Sequence, residues 1–160
     1  MSTSYHPSED VTKELNVEVV QFYQELIGIL RWAVEIGRVD ILLEVSILSS
    51  HLTFPRIGHL QAVYHIFVYL TQVPKRKLYF DPVLTLISED CFHKFDWEEF
   101  YHDSKEAIPD DMPNPRGKIM TKHCFVDANH TGDKRTRRSQ TGILISFDQS
   151  PILWFNKIQN

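Results

Sequence analysis

Apolar residues recur at helical spacing in three stretches of the first half of the chain. Val19, Phe22, Leu26, Ile29 and Ala33 align up to Gly37, a residue suited to closing a helix. Ile41, Val45, Leu48 and Leu52 form a second stripe, with Asp40 placed to cap it and Pro55 closing the segment. Leu60, Val63, Phe67 and Leu70 form a third, after Pro55 and before Pro74. Three amphipathic helices with short links predict a small bundle, in which Trp32, Tyr64, Phe67 and Tyr69 pack as core.

The second half reads differently. Lys77 to Phe80 suits a short strand, and Pro82 through Pro115 is an acidic, proline-containing connector with a turn of helix at Trp97 to Tyr101. Cys124-Phe125-Val126 and Ile143 to Phe147 are apolar runs that suit strands, separated by a loop with Gly132. The polar start, MSTSYHPSED, is expected to fray.

With 42% hydrophobic and 24% charged residues among 160, the chain has the composition of a soluble globular protein. Its formal charge of −4 conceals an asymmetry. From Asp81 to Asp111 ten acids face only Lys94 and Lys105, whereas Arg116 to Arg138 gathers cations against Asp127 and Asp133 alone. A polyanion would meet the second segment first. Cys91 and Cys124 lie outside any CxxC spacing, so a reduced intracellular chain is expected, with neither a zinc site nor a disulfide framework. No stretch reads as a signal peptide or a membrane span.

The candidate chemistry lies in CFVDANHTGDKRTRRSQTGILISFDQSPILWFNK, residues 124–157. Asp127 ends an apolar run and could ligate a divalent metal, or could simply form a turn before the loop. Lys134, Arg135, Arg137 and Arg138 could meet phosphates, or could be a solvated surface turn. His123 and His130 flank Asp127 and read either as near a metal or as solvated; His59 and His65, six apart, cannot share a helix face. Asp110-Asp111, bracketed by Pro109 and Pro113, reads as a solvated acidic loop.

Taken in order, Asp127-Ala128-Asn129, Gly132-Asp133, Arg137-Arg138-Ser139, Thr141-Gly142, Ser150-Pro151-Ile152 and Trp154 resemble the start of the ribonuclease H domain of copia-type LTR retrotransposon polyproteins. The helical half, through Tyr23, Leu26, Gly28, Arg38, Asp40, Ile41, Pro55, His59, Leu60 and Leu70, resembles the thumb and connection that follow the polymerase palm in the same family. One departure is Ile57, where the family commonly has Glu.

The resemblance implies an α+β chain. A frayed segment at 1–16 precedes a helical thumb/connection-like region at 17–75, an acidic linker at 76–117 and a truncated ribonuclease H-like region at 118–160. The last would hold an antiparallel meander of Met120–Asp127, Thr141–Phe147 and Ile152–Phe155, its third strand starting at Pro151. It further implies Asp127 as the lone catalytic and Mg²⁺-ligating carboxylate of an incomplete site. Lys134, Arg135, Arg137 and Arg138 would contact an RNA–DNA hybrid. The palm would precede Val17, and the remaining acidic ligands would follow Asn160. The expected function is that of a reverse transcriptase/ribonuclease H fragment, inactive by itself; the alternative is a non-catalytic remnant with weak nucleic-acid or protein binding. A cytoplasmic, virus-like-particle or nuclear setting follows, with self-association through an exposed sheet edge.

Overall fold

The computed structural model describes residues 5–81, 83, 100, 102, 109–114, 116, 117, 120–129, 133 and 136–159. Three helices and one antiparallel sheet make a mixed α+β structure: α1 (Val17–Glu35), α2 (Leu42–Ser49), α3 (Ile57–Gln72), β1 (Lys122–Asn129), β2 (Gln140–Phe147) and β3 (Ser150–Ile158).

α1 begins where the Asn16 side chain accepts the Val19 N–H at 2.9 Å. It ends in a Schellman closure: the Gly37 N–H donates to Val34 O and the Arg38 N–H to Ala33 O, each at 3.0 Å. Gly37 sits at φ +116°, and a Cβ there would stand 3.0 Å from Leu78 Cδ1, so both backbone and space call for glycine. The face that α1 buries is not the predicted one. Tyr23, Ile27, Leu30 and Val34 enter the core, while Phe22, Ile29 and Trp32 point outward. The helix carries two apolar stripes, and periodicity alone does not choose between them.

Asp40 does not cap α2. A 3₁₀ turn, Val39–Ile41, intervenes, and its carboxylate is taken by Arg38 and Tyr69. Ile41, Val45 and Leu48 are buried as expected, joined by Val63 and Ile66 of α3. The Tyr23 hydroxyl, buried among them, donates to Leu48 O at 2.8 Å. Trp32 and Tyr64, expected in the core, are exposed.

The N-terminal segment differs from the frayed end the sequence suggested. Residues 5–16 lie against the start of α3 and satisfy the N–H groups a helix leaves open there. The Ile57 N–H donates to Lys13 O at 3.1 Å and the Gly58 N–H to Thr12 Oγ1 at 2.9 Å. Buried His59 completes the join: its Nδ1 accepts the Arg56 N–H at 3.0 Å, leaving Nε2 to donate to Pro7 O at 2.9 Å. Gly58 has no room for a Cβ, which would fall 2.0 Å from Asp10 Oδ2. Tyr5 donates to that carboxylate at 2.7 Å. Burial pushes the Asp10 carboxyl up, but hydrogen bonds from Thr12 and Tyr5 outweigh it and hold the group below the ordinary value.

The sheet order is β1-β2-β3, a meander. β1 starts and ends two residues later than predicted, β2 starts one residue earlier, and β3 runs beyond both of its predicted limits. Pro151 is the second residue of β3, set opposite Ser146 at a register shift, where its missing N–H costs no ladder bond. At the β2–β3 turn, buried Asp148 ties back to β1: its N–H donates to Thr121 O at 2.7 Å and its Oδ1 accepts the Thr121 N–H at 2.9 Å. Lys77 to Phe80, expected as a short strand, pairs with no strand among the described residues. The turn of helix expected at Trp97 to Tyr101 falls almost entirely outside the described residues.

β3 fastens the sheet to the helices. Trp154 packs on the core and its indole N–H donates to Val34 O at 2.9 Å, while the Ser46 hydroxyl of α2 donates to Asn156 O at 3.1 Å. No described helix is long and apolar enough to cross a membrane.

Candidate nucleic-acid interface

Cross-strand register fixes which side chains share a sheet face. Asp127 pairs with Gly142, which pairs with Asn156; Phe125, Leu144 and Trp154 form the neighbouring row. Since Trp154 packs on the helices, Asp127 lies on the helix-facing side of the sheet. β1 is the strand farthest from β3, so the carboxylate remains exposed. It sits inside β1 rather than at its end, because Ala128 and Asn129 continue the ladder opposite Thr141 and Gln140.

The row beside it is polar and cross-linked. Gln140 is buried, and its amide donates to Asn156 Oδ1 and to Ser46 Oγ, the latter at 3.3 Å. His123, on the same face as Phe125, has its Nε2 buried without a hydrogen-bond partner among the described residues, so it is not the solvated histidine expected. Cys124 faces the other way and is a free, exposed thiol. Cys91 and His130 lie outside the described residues.

The basic turn has a defined closure at its described end. The Asp133 N–H donates to Arg138 O at 3.1 Å and the Arg137 N–H to Asp133 O at 2.8 Å. Asp133 Oδ1 accepts the Thr136 N–H at 3.1 Å. Arg137 adopts φ +59°, a left-handed conformation that the Asp133 bonds hold in place. The Arg137 and Arg138 side chains are exposed and form no ion pair among the described residues. Lys134 and Arg135 lie outside the described residues.

The turn borders a groove of about 790 Å³ between the helices and β3. Arg31 of α1, Arg138 of the turn and Lys157 of β3 line it with Glu35, Asp133 and Trp154. Arg31 and Lys157 were not legible as partners of the turn, since nothing local in the sequence links α1 to β3.

Asp127 supplies one pair of hard oxygens, and no three His, Cys, Asp or Glu side chains among the described residues are grouped to hold a metal ion. Asp127 by itself does not make a protein cage for Mg²⁺, whose near-octahedral shell one carboxylate leaves to waters and substrate phosphates. Asp110 and Asp111 form an exposed turn closed by the Met112 N–H on Pro109 O at 3.0 Å. No known protein family, curated protein or solved structure matches the chain.

Proposed function

We propose that the chain is a nucleic-acid-binding segment of a copia-type reverse transcriptase/ribonuclease H polyprotein, which holds an RNA–DNA hybrid and does not cleave it by itself. The observation that carries this reading is the placement of Asp127 on the helix-facing side of β1, the strand that runs into the turn bearing the exposed Arg137 and Arg138. A helical bundle followed by an antiparallel meander suits a thumb and connection leading into the first strands of a ribonuclease H-like sheet. Exposed cations beside a groove supply the sequence-independent attraction a phosphate backbone requires. Phosphodiester cleavage by paired metals needs several carboxylates converging on one site, and Asp127 brings one.

Titration of a labelled RNA–DNA hybrid over several salt concentrations tests the binding. The Lys134/Arg135/Arg137/Arg138→Ala variant is expected to bind more weakly, with the salt slope reduced by about one unit per lost phosphate contact. A variant that binds like the parent would refute the assignment. In parallel, RNA release from the hybrid with Mg²⁺ or Mn²⁺ is expected to stay at background in both the parent and Asp127→Asn. Cleavage that disappears with Asp127 would overturn the non-catalytic half of the reading.

A further inference from the structure

Residues 73–81 cross from the helices to the sheet as a strap that is neither helical nor strand-paired and is fixed at three points. The Val73 N–H closes α3 on Tyr69 O at 2.8 Å. Leu78 turns inward against Gly37, where a Cβ would stand 3.0 Å from its Cδ1. Asp81 O accepts the Ser150 hydroxyl of β3 at 3.0 Å. Around the inward Leu78, the strap displays Lys75, Arg76 and Lys77, then Tyr79 at 74% and Phe80 at 67% exposure. None of these five side chains makes a hydrogen bond, ion pair or ring contact among the described residues.

Two neighbouring aromatic rings left in water beside three consecutive cations are not serving the fold. We propose that residues 75–80 bind an unpaired nucleic-acid strand, the cations meeting successive phosphates while Tyr79 and Phe80 stack on bases. Aromatic rings stack on any base whose face is open, and cations beside them follow the backbone. A duplex offers no open base faces along its length, so the rings favour a single strand. A membrane surface would be met by an amphipathic helix with a continuous apolar face, whereas this segment is not helical and Leu78 is turned toward Gly37. Anchoring at both ends lowers the ordering cost of binding. The strap stands apart in sequence from the Lys134–Arg138 turn and goes beyond the hybrid-binding reading.

The test uses the full chain and a labelled oligothymidylate, read by fluorescence anisotropy. Tyr79→Leu/Phe80→Leu should weaken binding at least tenfold, given the usual contribution of about 1–3 kcal/mol per stacked base, and leave affinity for a DNA duplex within about twofold. Lys75→Gln/Arg76→Gln/Lys77→Gln should lower the slope of log affinity against log salt by about two, the sum for three single-strand phosphate contacts. Arg137→Gln/Arg138→Gln should weaken hybrid binding and spare oligothymidylate. Photo-crosslinking of the unmodified chain to a thymidine-analogue strand should label Tyr79 or Phe80, which keeps the test independent of how any variant folds. Oligothymidylate binding unchanged in the aromatic variant, crosslinks elsewhere, or a preference for phosphatidylserine vesicles over the oligonucleotide would overturn the proposal. Failure of the turn variant alone would count against the hybrid reading and leave the strap standing.

Discussion

The carboxylate of Asp40 is gripped from two sides. Arg38 reaches it through Nε and Nη2, each at 3.0 Å, and the Tyr69 hydroxyl donates to it at 2.8 Å. Arg38 also lies over the Tyr69 ring, 5.9 Å from its centre, so three side chains tie the α1–α2 corner to α3. The guanidinium hydrogen bonds, helped by Tyr69 and opposed by partial burial, hold the Asp40 carboxyl below the usual value. A carboxylate lowered by folding stabilises the native state above its unfolded pKa, and that contribution is lost as pH falls through the folded one. Asp40→Asn should therefore cost about 1 kcal/mol at neutral pH, modest because the pair is partly solvated. The gap to the parent should close as pH falls from about 5 toward 2. Urea unfolding across this range measures it; a gap that persists in acid would mean that Asn disturbs the corner for reasons other than charge.

Between elements, Trp154 is the joint. Its ring adds to the helical core and its N–H reaches the last turn of α1, so β3 cannot leave without uncovering both. Trp154→Phe keeps most of the apolar area and removes the hydrogen bond, a loss of about 1 kcal/mol. Trp154→Ala should cost about 3 kcal/mol and split unfolding into two transitions, seen as separate loss of helix signal and of amide protection in β2 and β3. A single transition in the alanine variant would show that Ser46 and Gln140 suffice to hold the sheet. The elements themselves were legible, because three helical stripes and the alternating strands are written locally. Their faces were less so. Trp32 reads as core but stands 66% exposed, since Tyr23, Ile27, Leu30 and Val34 form an equally regular stripe that packs inward instead. The N-terminal arm was missed because Thr12, Lys13 and Pro7 look like loop residues until the open N–H groups of α3 give them partners. Asp127 and the basic turn could be located from local pattern, whereas Arg31 and Lys157 join the groove only through the docking of β3 on α1 and α2.

At the scale of the whole molecule, the sheet has one face turned to the helices and another turned to solvent. Register places Val126, Ile143, Ile145, Leu153 and Phe155 together on the outer face. Val126 is 64%, Leu153 48% and Phe155 45% exposed. Burying a large apolar side chain stabilises by about 1.5–3 kcal/mol, so pairing this face with its copy draws on several such contributions at once. β1 adds a free edge along the same face, since its outer side pairs with no strand among the described residues. The chain should self-associate as concentration rises, through the sheet rather than the helices. Val126→Thr/Phe155→Thr keeps residues that suit a strand while removing apolar area from the contact. Light scattering should show the parent growing with concentration and this variant remaining monomeric, with helix content unchanged. If the variant associates like the parent while Ile29→Gln/Trp32→Gln on the outer face of α1 does not, the contact lies on the helix and the sheet assignment fails.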